Sequence, residues 1–152
     1  ALEFLKEQGK EYDAVCLLQP TNPFRTHDFI STAILKFKEV ITDSLVSVLE
    51  VPHQFNPHWV FEKNNEGHLV ISTGENEIIT RRQNLPATFY RDGSIYLTKT
   101  SVVLNKKSLY GNSISSIKSD AATHLNIDTM EDWNRAEILM NDKLAKVIKN
   151  GK

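Results

Sequence analysis

The loop at residues 19–26, QPTNPFRT, follows a continuous apolar run and has the residue types of a rigid ligand-binding segment. Its two prolines fix the backbone φ angle, so the loop is stiff before a ligand arrives. The amide of Gln19 both donates and accepts hydrogen bonds, which suits sugar hydroxyls or the edge of a base. Arg25 adds a positive charge. The alternative is a rigid turn with Arg25 in solvent, and the residue types leave both interpretations open.

Two arginines frame a second polar segment, which covers residues 82–96. Arg82 begins RQNLP, and Arg91 lies in FYRDGSIY at the start of an apolar run. Two guanidinium groups around the entrance to a strand can hold a carboxylate or a phosphate through paired hydrogen bonds. Gly93 lets the backbone come close to a ligand. Spacing alone favours the alternative, in which Arg82 is a surface charge and Tyr96 belongs to the core.

The segment NIDT, at residues 126–129, has the side chains of a metal site. Strand alternation places Asn126 and Asp128 on the same side, and their oxygen atoms suit Mg²⁺ held partly through water and phosphate. The alternative is that Asp128 and Thr129 only start the following helix. A zinc site is not expected, because His53 and His58 lie in an irregular stretch without cysteine or carboxylate at metal-ligand spacing.

The elements that must position these segments follow an α/β pattern. The apolar run at residues 12–18 predicts a central strand buried on both faces, and therefore a buried and inert Cys16. A helix that begins at residues 26–28 and a strand over residues 44–51 complete a strand–helix–strand unit, which predicts a parallel pair. Ligands bind at the carboxyl ends of the strands in such sheets, so we expect the three polar segments at one edge.

The later part of the sequence predicts shorter elements, which complete the order. They are a hairpin around NNEG, a strand over residues 89–98, a helix over residues 100–105, an edge strand over residues 113–119, a short strand over residues 124–127 and a last helix capped by Thr129 and Asp132.

Composition bounds the class of protein. A chain of 152 residues with 40% hydrophobic and 24% charged residues predicts one soluble α/β domain over residues 1–152. The net charge of -1 and the absence of a basic run disfavour nucleic acid as a partner, and no apolar run approaches a membrane span. The opening residues ALEFLKEQGK are charged and are not typical of a secretory signal. With one cysteine and no internal disulfide, the expected compartment is the cytoplasm.

Taken together, the three polar segments resemble signatures of the acylneuraminate cytidylyltransferases, the CMP-sialic acid synthetase family. LLQPTNPFR is similar to that family's strand-loop signature, usually LLQPTSPLR. RQNLPATFYRDGSIYLT resembles its R-Q-x-L-P segment followed by YRxNGAIY, and HLNIDTMEDWNRAE resembles its closing D-I-D-T-x-E-D-W-x-x-A-E. The resemblance covers nearly the whole chain, and three signatures in the same order make it specific.

The resemblance implies a Rossmann-like nucleotidyltransferase fold with a mostly parallel sheet and a small dimerisation arm, placed at residues 99–118, and hence a homodimer. The implied reaction joins CTP and a nine-carbon, nonulosonic sugar acid to give a CMP-sugar and pyrophosphate, with Mg²⁺ as cofactor. Neither nucleic acid nor a membrane is an implied partner.

By position, the resemblance implies that Asp128 and Asn126 bind the metal and that Asp128 and Arg91 are catalytic. Gln19 would face the sugar, and Arg82 and Arg91 would hold its carboxylate. The full set of implied substrate-binding residues is Gln19, Arg25, Arg82, Arg91 and Tyr96.

The sequence departs from the family pattern in three ways. Asn126 stands where an aspartate is usual, and Asp92 where asparagine is common. The first strand and the basic, glycine-rich CTP loop of the family have no counterpart in this sequence. The resemblance therefore implies an N-terminally truncated domain that alone binds CTP poorly. A CMP-Kdo synthetase is disfavoured by the Gln-Pro-Thr loop, and the alternative outside catalysis is a paralogue that binds sugar or pairs with a full-length subunit.

Overall fold

The computed structural model describes residues 1–150 of the chain, with side chains described as far as residue 142. Its contacts define two compact units, Ala1–Val48 with Arg91–Lys152, and Leu49–Tyr90. One domain over residues 1–152 stays a prediction. The helices and strands in chain order are α1 (Leu2–Glu7), β1 (Ala14–Leu17), α2 (His27–Glu39), β2 (Ser44–Glu50), β3 (Phe61–Lys63), β4 (Leu69–Ile71), β5 (Phe89–Lys99), α3 (Thr100–Lys106), β6 (Ile114–Lys118) and α4 (Met130–Asn150).

The first unit is built on a four-stranded sheet in the order β1-β5-β2-β6. Strands β2 and β6 are parallel, and β1 and β5 are antiparallel. Strand β5 also runs opposite to β2, since the Lys99 N–H donates to the Asp43 carbonyl whereas the Ile95 N–H donates to the Ser47 hydroxyl. Three of the four strands therefore point in the same direction, which agrees with the expected α/β fold.

The predicted pairing of β1 with β2 is wrong, because β5 lies between them. Strand β5 has eleven residues and is buried from Asp92 to Thr98, so it occupies the centre of the sheet. Strand β1 is left with one neighbour and is only partly buried. The predictions of burial on both faces and of a buried Cys16 are therefore also wrong, since this cysteine is exposed.

Helix α2 covers one face of this sheet. The Thr26 side chain accepts a hydrogen bond from the Phe29 N–H at 3.2 Å and so begins the helix. The apolar face of α2 then packs on side chains from three strands, which removes them from water and supplies the main stabilising term of the unit. The buried residues of this core are Ala33, Leu45, Ile95, Leu97 and Ile117.

Residues 99–118, where the resemblance places a dimerisation arm, belong instead to this first unit. Strand β6 pairs with β2 over its whole length. Leu109 and Tyr110 pack against a second buried cluster that contains Val46, Val48 and Tyr96. The predicted helix at residues 100–105 and the edge strand at residues 113–119 are confirmed as α3 and β6.

The predicted strand at residues 124–127 is wrong. The segment lies without regular structure before α4. Its Ile127 N–H donates to the Thr21 carbonyl at 2.8 Å, so the loop at residues 19–26 takes the hydrogen bond that a neighbouring strand would have taken.

The second unit contains the predicted hairpin. Strands β3 and β4 are antiparallel, with Phe61 opposite Ile71, and Gly67 supplies the positive φ of +84° in their turn. Side-chain hydrogen bonds connect the segment before β3 to the segment after β4. The Trp59 indole N–H donates to the Ile79 carbonyl, and the His58 ring nitrogen lies 2.6 Å from a Glu75 carboxylate oxygen.

Among the described residues, none of the helices combines the length and the apolar character that crossing a membrane requires.

The predicted cap of α4 is present. The Asp132 carboxylate accepts hydrogen bonds from the N–H groups of Asp128 and Thr129 at 3.2 and 3.0 Å and from the Thr129 hydroxyl at 2.8 Å. In return, the Asp132 N–H donates to the Thr129 hydroxyl. The bond from the Thr129 hydroxyl, followed by that from the Asp128 N–H, lowers the pKa of Asp132.

This cap predicts a pH-dependent stability. A carboxyl whose pKa is lowered by folding stabilises the fold above its unfolded pKa near 4, and the contribution disappears as pH falls through the lower folded value. We expect Asp132→Asn to lower the melting temperature by a few degrees at pH 7 and by less at pH 3. Glu131→Gln, in the same helical turn, is the matched control for loss of charge. An equal Asp132→Asn effect at both pH values would contradict the role of the charged cap.

Candidate functional site

The loop at residues 19–26 is closed by its own hydrogen bonds. The Gln19 carbonyl accepts from an Arg25 guanidinium nitrogen at 2.6 Å and from the Asn22 N–H at 3.2 Å. Burial lowers the pKa of Arg25, but the side chain remains positively charged at neutral pH. Arg25 is therefore neither a solvated surface charge nor wholly free for a ligand, because one of its nitrogens holds the loop in shape.

The side chain of Gln19 lies over the backbone of Gly93. Gly93 has a φ of +82°, and a Cβ atom there would lie 2.8 Å from the Gln19 Oε1 and 3.9 Å from the Asn126 Oδ1. A residue without a side chain thus lets two amide groups, from the loop and from the segment before α4, approach the start of β5. The structure brings together Gln19 and Asn126, which are far apart in sequence.

Asn126 and Asp128 form the other side of this cluster. The Asn126 Nδ2 donates to the Asp128 Oδ2 at 2.6 Å, whereas the Asn126 Oδ1 is buried without a hydrogen-bond partner. A buried oxygen without a partner is costly unless a ligand supplies one. The donor set of one carboxylate and one free amide oxygen fits Mg²⁺, which takes one or two carboxylates and completes its shell with water and phosphate. In the described part of the chain, no three His, Cys, Asp or Glu side chains are grouped to hold a metal.

The cluster leads to a prediction about Gly93. We expect Gly93→Ala to cost about 1–2 kcal/mol of unfolding free energy, because an L-residue is strained at positive φ, and to push the Gln19 amide away. Gly67→Ala is the matched control, since Gly67 has a φ of +84° with nothing within 4 Å of its Cβ position. Denaturant unfolding should show similar losses in both variants, and only Gly93→Ala should move the Gln19 side-chain NH₂ signals. An unmoved Gln19 signal would contradict the close approach.

Arg91 and Tyr96 both contact Tyr110 but differ in exposure. Arg91 is exposed, donates a hydrogen bond to the Tyr110 hydroxyl and lies 5.8 Å from the centre of that ring. This hydrogen bond raises the pKa of Arg91. Tyr96 is only 6% exposed and packs with its ring edge toward Tyr110, and its burial raises its pKa. Tyr96 thus lies in the core, as the alternative from spacing expected, and its role in a sugar pocket stays a prediction.

Arg82 belongs to the second unit, at the start of a short 3₁₀ turn, Arg82–Asn84. It lines a cavity of about 320 Å³ within that unit. The Asn56 amide, 3% exposed, donates to the Pro86 carbonyl at 3.0 Å and so fixes one wall. With one arginine and one glutamate among polar and apolar groups, this cavity offers hydrogen bonds to a small molecule with polar groups. Its other lining residues include Glu50, His53, Leu85 and Thr88.

A second cavity, of about 290 Å³, lies within the first unit at the beginning of α2. Its wall includes Arg25 from the loop and Phe29 from the helix. Other parts of its wall are polar side chains, namely those of Asn22, Ser94 and His124. Sequence reasoning gave these polar residues no role of their own and interpreted His124 as a surface or a satisfied polar residue. The available signal was the pair of polar residues, Asp92 and Ser94, inside the otherwise apolar run of β5.

Comparison with known proteins supports the resemblance seen in the sequence. The chain is 30% identical over 130 residues to a CMP-N,N'-diacetyllegionaminic acid synthase of Legionella pneumophila, covering 85% of this chain and 54% of that protein. It is 24% identical to a pseudaminic acid cytidylyltransferase of Campylobacter jejuni, covering 91% of this chain and 59% of that protein. An N-acylneuraminate cytidylyltransferase of Streptococcus agalactiae is 26% identical over 86% of this chain and 31% of its own length. The resemblance to cytidylyltransferases of this kind is therefore confirmed.

The chain therefore spans somewhat more than half the length of the first two of these relatives and about a third of the length of the third. No family model matches it. Among solved structures, the 4-diphosphocytidyl-2C-methyl-D-erythritol synthase from Anaerococcus prevotii superposes with a TM-score of 0.56 at 8% identity, over 91% of this chain and 64% of that one. This likeness concerns the fold alone, and with the sheet described above it confirms the predicted α/β fold.

Proposed function

We propose that this chain, which is related to the CMP-nonulosonic acid synthases over most of its length, acts as a cytidylyltransferase. The reaction transfers CMP from CTP to a nonulosonic sugar acid and releases pyrophosphate. The observation that carries the proposal is that the amide groups of Gln19 and Asn126 approach Gly93 at the start of β5, while Asn126 is hydrogen-bonded to Asp128.

In the proposed reaction, the oxygen of the sugar's anomeric hydroxyl forms a bond to the α-phosphorus of CTP. The bond between that phosphorus and its bridging oxygen breaks, pyrophosphate leaves, and the hydroxyl proton passes to solvent. The protein forms no covalent bond in such a transfer, so its contribution is to orient the two substrates and to compensate charge.

The residues of the cluster divide these tasks. The Gln19 amide, which both donates and accepts, orients a sugar hydroxyl over Gly93. Asp128 and the free Asn126 Oδ1 hold Mg²⁺, which supplies charge neutralisation at the phosphates when bound. Arg91, charged at any physiological pH, offers its remaining N–H groups to the sugar carboxylate.

Arg25 and Arg82 are proposed as further substrate contacts. Arg25 keeps guanidinium N–H groups besides the one that closes its loop, and it faces the cavity in the first unit. Arg82 is the guanidinium group in the cavity of the second unit, where it would hold the sugar carboxylate. Tyr96 would act from the core, through its contact with Tyr110, by supporting Arg91.

We also propose that the protein works in the cytoplasm as a homodimer. The hairpin of the second unit exposes apolar side chains that a second copy would cover, among them Phe61, Leu69 and Val70. Sedimentation of the purified chain tests this part: a monomer at micromolar concentration would contradict the dimer.

The experiment that tests the proposed activity is release of pyrophosphate from CTP and Mg²⁺ in the presence of a panel of nonulosonic acids. We expect slow release with at least one sugar, because the resemblance implies poor CTP binding by this chain alone, and no release when the sugar or Mg²⁺ is omitted. Circular dichroism on the same sample establishes that the chain is folded. No release with any sugar by folded protein would overturn the proposal for this chain and favour the non-catalytic alternative.

A further inference from the structure

A group of buried polar side chains adjoins the cluster of Gln19, Asn126 and Asp128. Asn22 is 2% exposed, Asp92 is 5% exposed, and the His124 side chain is 12% exposed. They come from three separate parts of the chain, namely the loop before α2, the start of β5 and the segment before α4. Burial of three such residues is uncommon unless each is held by specific partners.

Asn22 is the centre of this group. Its side-chain nitrogen donates to the Asp92 carbonyl at 3.4 Å and lies 3.1 Å from the His124 Nδ1. In the tautomer that carries the ring proton on Nε2, the His124 Nδ1 accepts this amide N–H. A single buried amide therefore contacts both Asp92 and His124, which follow it in sequence by 70 and 102 positions.

Asp92 fixes the backbone on the other side. Its Oδ1 accepts from the Ser94 N–H at 2.9 Å and from the Ser47 hydroxyl, and these two bonds hold the chain on both sides of Gly93. Its Oδ2 is buried without a hydrogen-bond partner and lies 3.8 Å from the His124 Nδ1. The carboxylate thus ties β2 to the point at which β5 passes under Gln19.

Each member of the group lies next to a residue of the proposed site. The Asn22 N–H donates to the Gln19 carbonyl, Asp92 stands between Arg91 and Gly93, and His124 precedes Asn126 by two residues. The backbone bond from Ile127 to Thr21 reinforces the same junction. Two of the three, Asn22 and Asp92, occupy positions at which the sequence differs from the signatures it resembles, and in the structure the Asn22 side chain donates to the backbone carbonyl of Asp92.

We propose that Asn22, Asp92 and His124 are positioning residues, which set the distance between Gln19, Gly93 and the Asn126–Asp128 pair. This inference rests on the proposed function for its catalytic consequence, but the geometry it asserts does not. It adds to the proposed reaction a set of buried residues that act through the backbone. A small misplacement of reacting groups by such residues is enough to reduce turnover strongly.

The first test compares amide signals in ¹H–¹⁵N NMR spectra of the full chain at a temperature at which all variants are folded. Asn22→Ala and His124→Leu should shift the signals of Gly93, Ile127 and Asp128. His124→Asn, which restores an acceptor near the position of Nδ1, should return them toward their original positions. Asn56→Ala is the matched control, because Asn56 is also a buried amide, 3% exposed, with a hydrogen bond to a carbonyl. If the three signals respond to Asn22→Ala no more than to Asn56→Ala, the proposal is wrong.

The second test uses pyrophosphate release. We expect Asn22→Ala to lower kcat by about tenfold to a hundredfold with little change in KM, since substrate contacts remain while their alignment is lost. A rise in KM at constant kcat would overturn the positioning role. If the unaltered chain releases no pyrophosphate, the proposed function fails, whereas shifted amide signals would still support the positioning group. Asn22→Ser provides a milder variant should Asn22→Ala not fold.

Discussion

Asp128→Asn is expected to lower pyrophosphate release by about a hundredfold or more, with almost no loss of stability. The substitution keeps the shape of the side chain and an oxygen that can accept from the Asn126 Nδ2, which now lies 2.6 Å from the Asp128 Oδ2. It removes the one negative charge that Asp128 contributes to the proposed metal site. Without that charge, Mg²⁺ loses its carboxylate ligand from this pair and keeps only amide oxygens, which bind it weakly.

The measurement is the rate of release as a function of Mg²⁺ concentration. We expect the variant to need much more Mg²⁺ for half-maximal rate and to remain slow at saturation. Glu131→Gln is the control. Glu131 lies three residues after Asp128 and outside the cluster, so this substitution removes one charge without altering the proposed site. An Asp128→Asn variant with the rate and the Mg²⁺ midpoint of the unaltered chain would exclude Asp128 as a metal ligand.

Asn126→Asp is expected to do the opposite and to tighten Mg²⁺ binding by about tenfold or more, because ligand charge tunes cation affinity. The replacement puts a second carboxylate where the Asn126 Nδ2 now donates to the Asp128 Oδ2. Two carboxylates at hydrogen-bond distance repel unless a proton or a cation lies between them. The variant should therefore be less stable than the unaltered chain in EDTA and should recover when Mg²⁺ is added.

Thermal unfolding in EDTA and in millimolar Mg²⁺ measures this directly, since a ligand that binds only the folded state raises the melting temperature. The difference between the two conditions should be larger for Asn126→Asp than for the unaltered chain. Asn105→Asp, at an exposed position on α3, adds the same charge away from the cluster and should show the same difference as the unaltered chain. Equal differences in all three proteins would show that residue 126 does not bind the cation.

These two expectations bear on how far the sequence could be interpreted. The resemblance assigned the metal pair, and alternation placed Asn126 and Asp128 on one side of a predicted strand. The strand itself is absent, yet the two side chains are in contact, because the hydrogen bond between them and the cap of Asp132 organise the segment without a neighbouring strand. The contact between the two side chains was thus predicted from a local pattern whose regular structure did not form, and their role as a metal pair stays a prediction.

The local features of this protein were determined by the sequence alone. The start of α2 at Thr26, the cap of α4 at Thr129 and Asp132 and the hairpin at residues 61–71 depend on residues a few positions apart, so their hydrogen bonds and their apolar spacing are visible in the sequence itself. The three polar segments and their resemblance to cytidylyltransferases are also local features that the sequence shows directly, because a motif is a local arrangement of residue types.

Only the tertiary structure decided the order of strands and the burial of polar residues. Strand β5 separates β1 from β2, which leaves Cys16 exposed. The Asn22 side chain contacts Asp92 and His124, which lie 70 and 102 positions later in the sequence. Such contacts depend on which surfaces compete for the centre of the sheet, and this competition is settled by the whole set of long-range contacts. Asn22, Asp92 and His124 have ordinary surface residue types, and they are buried because the fold supplies the partners that satisfy them.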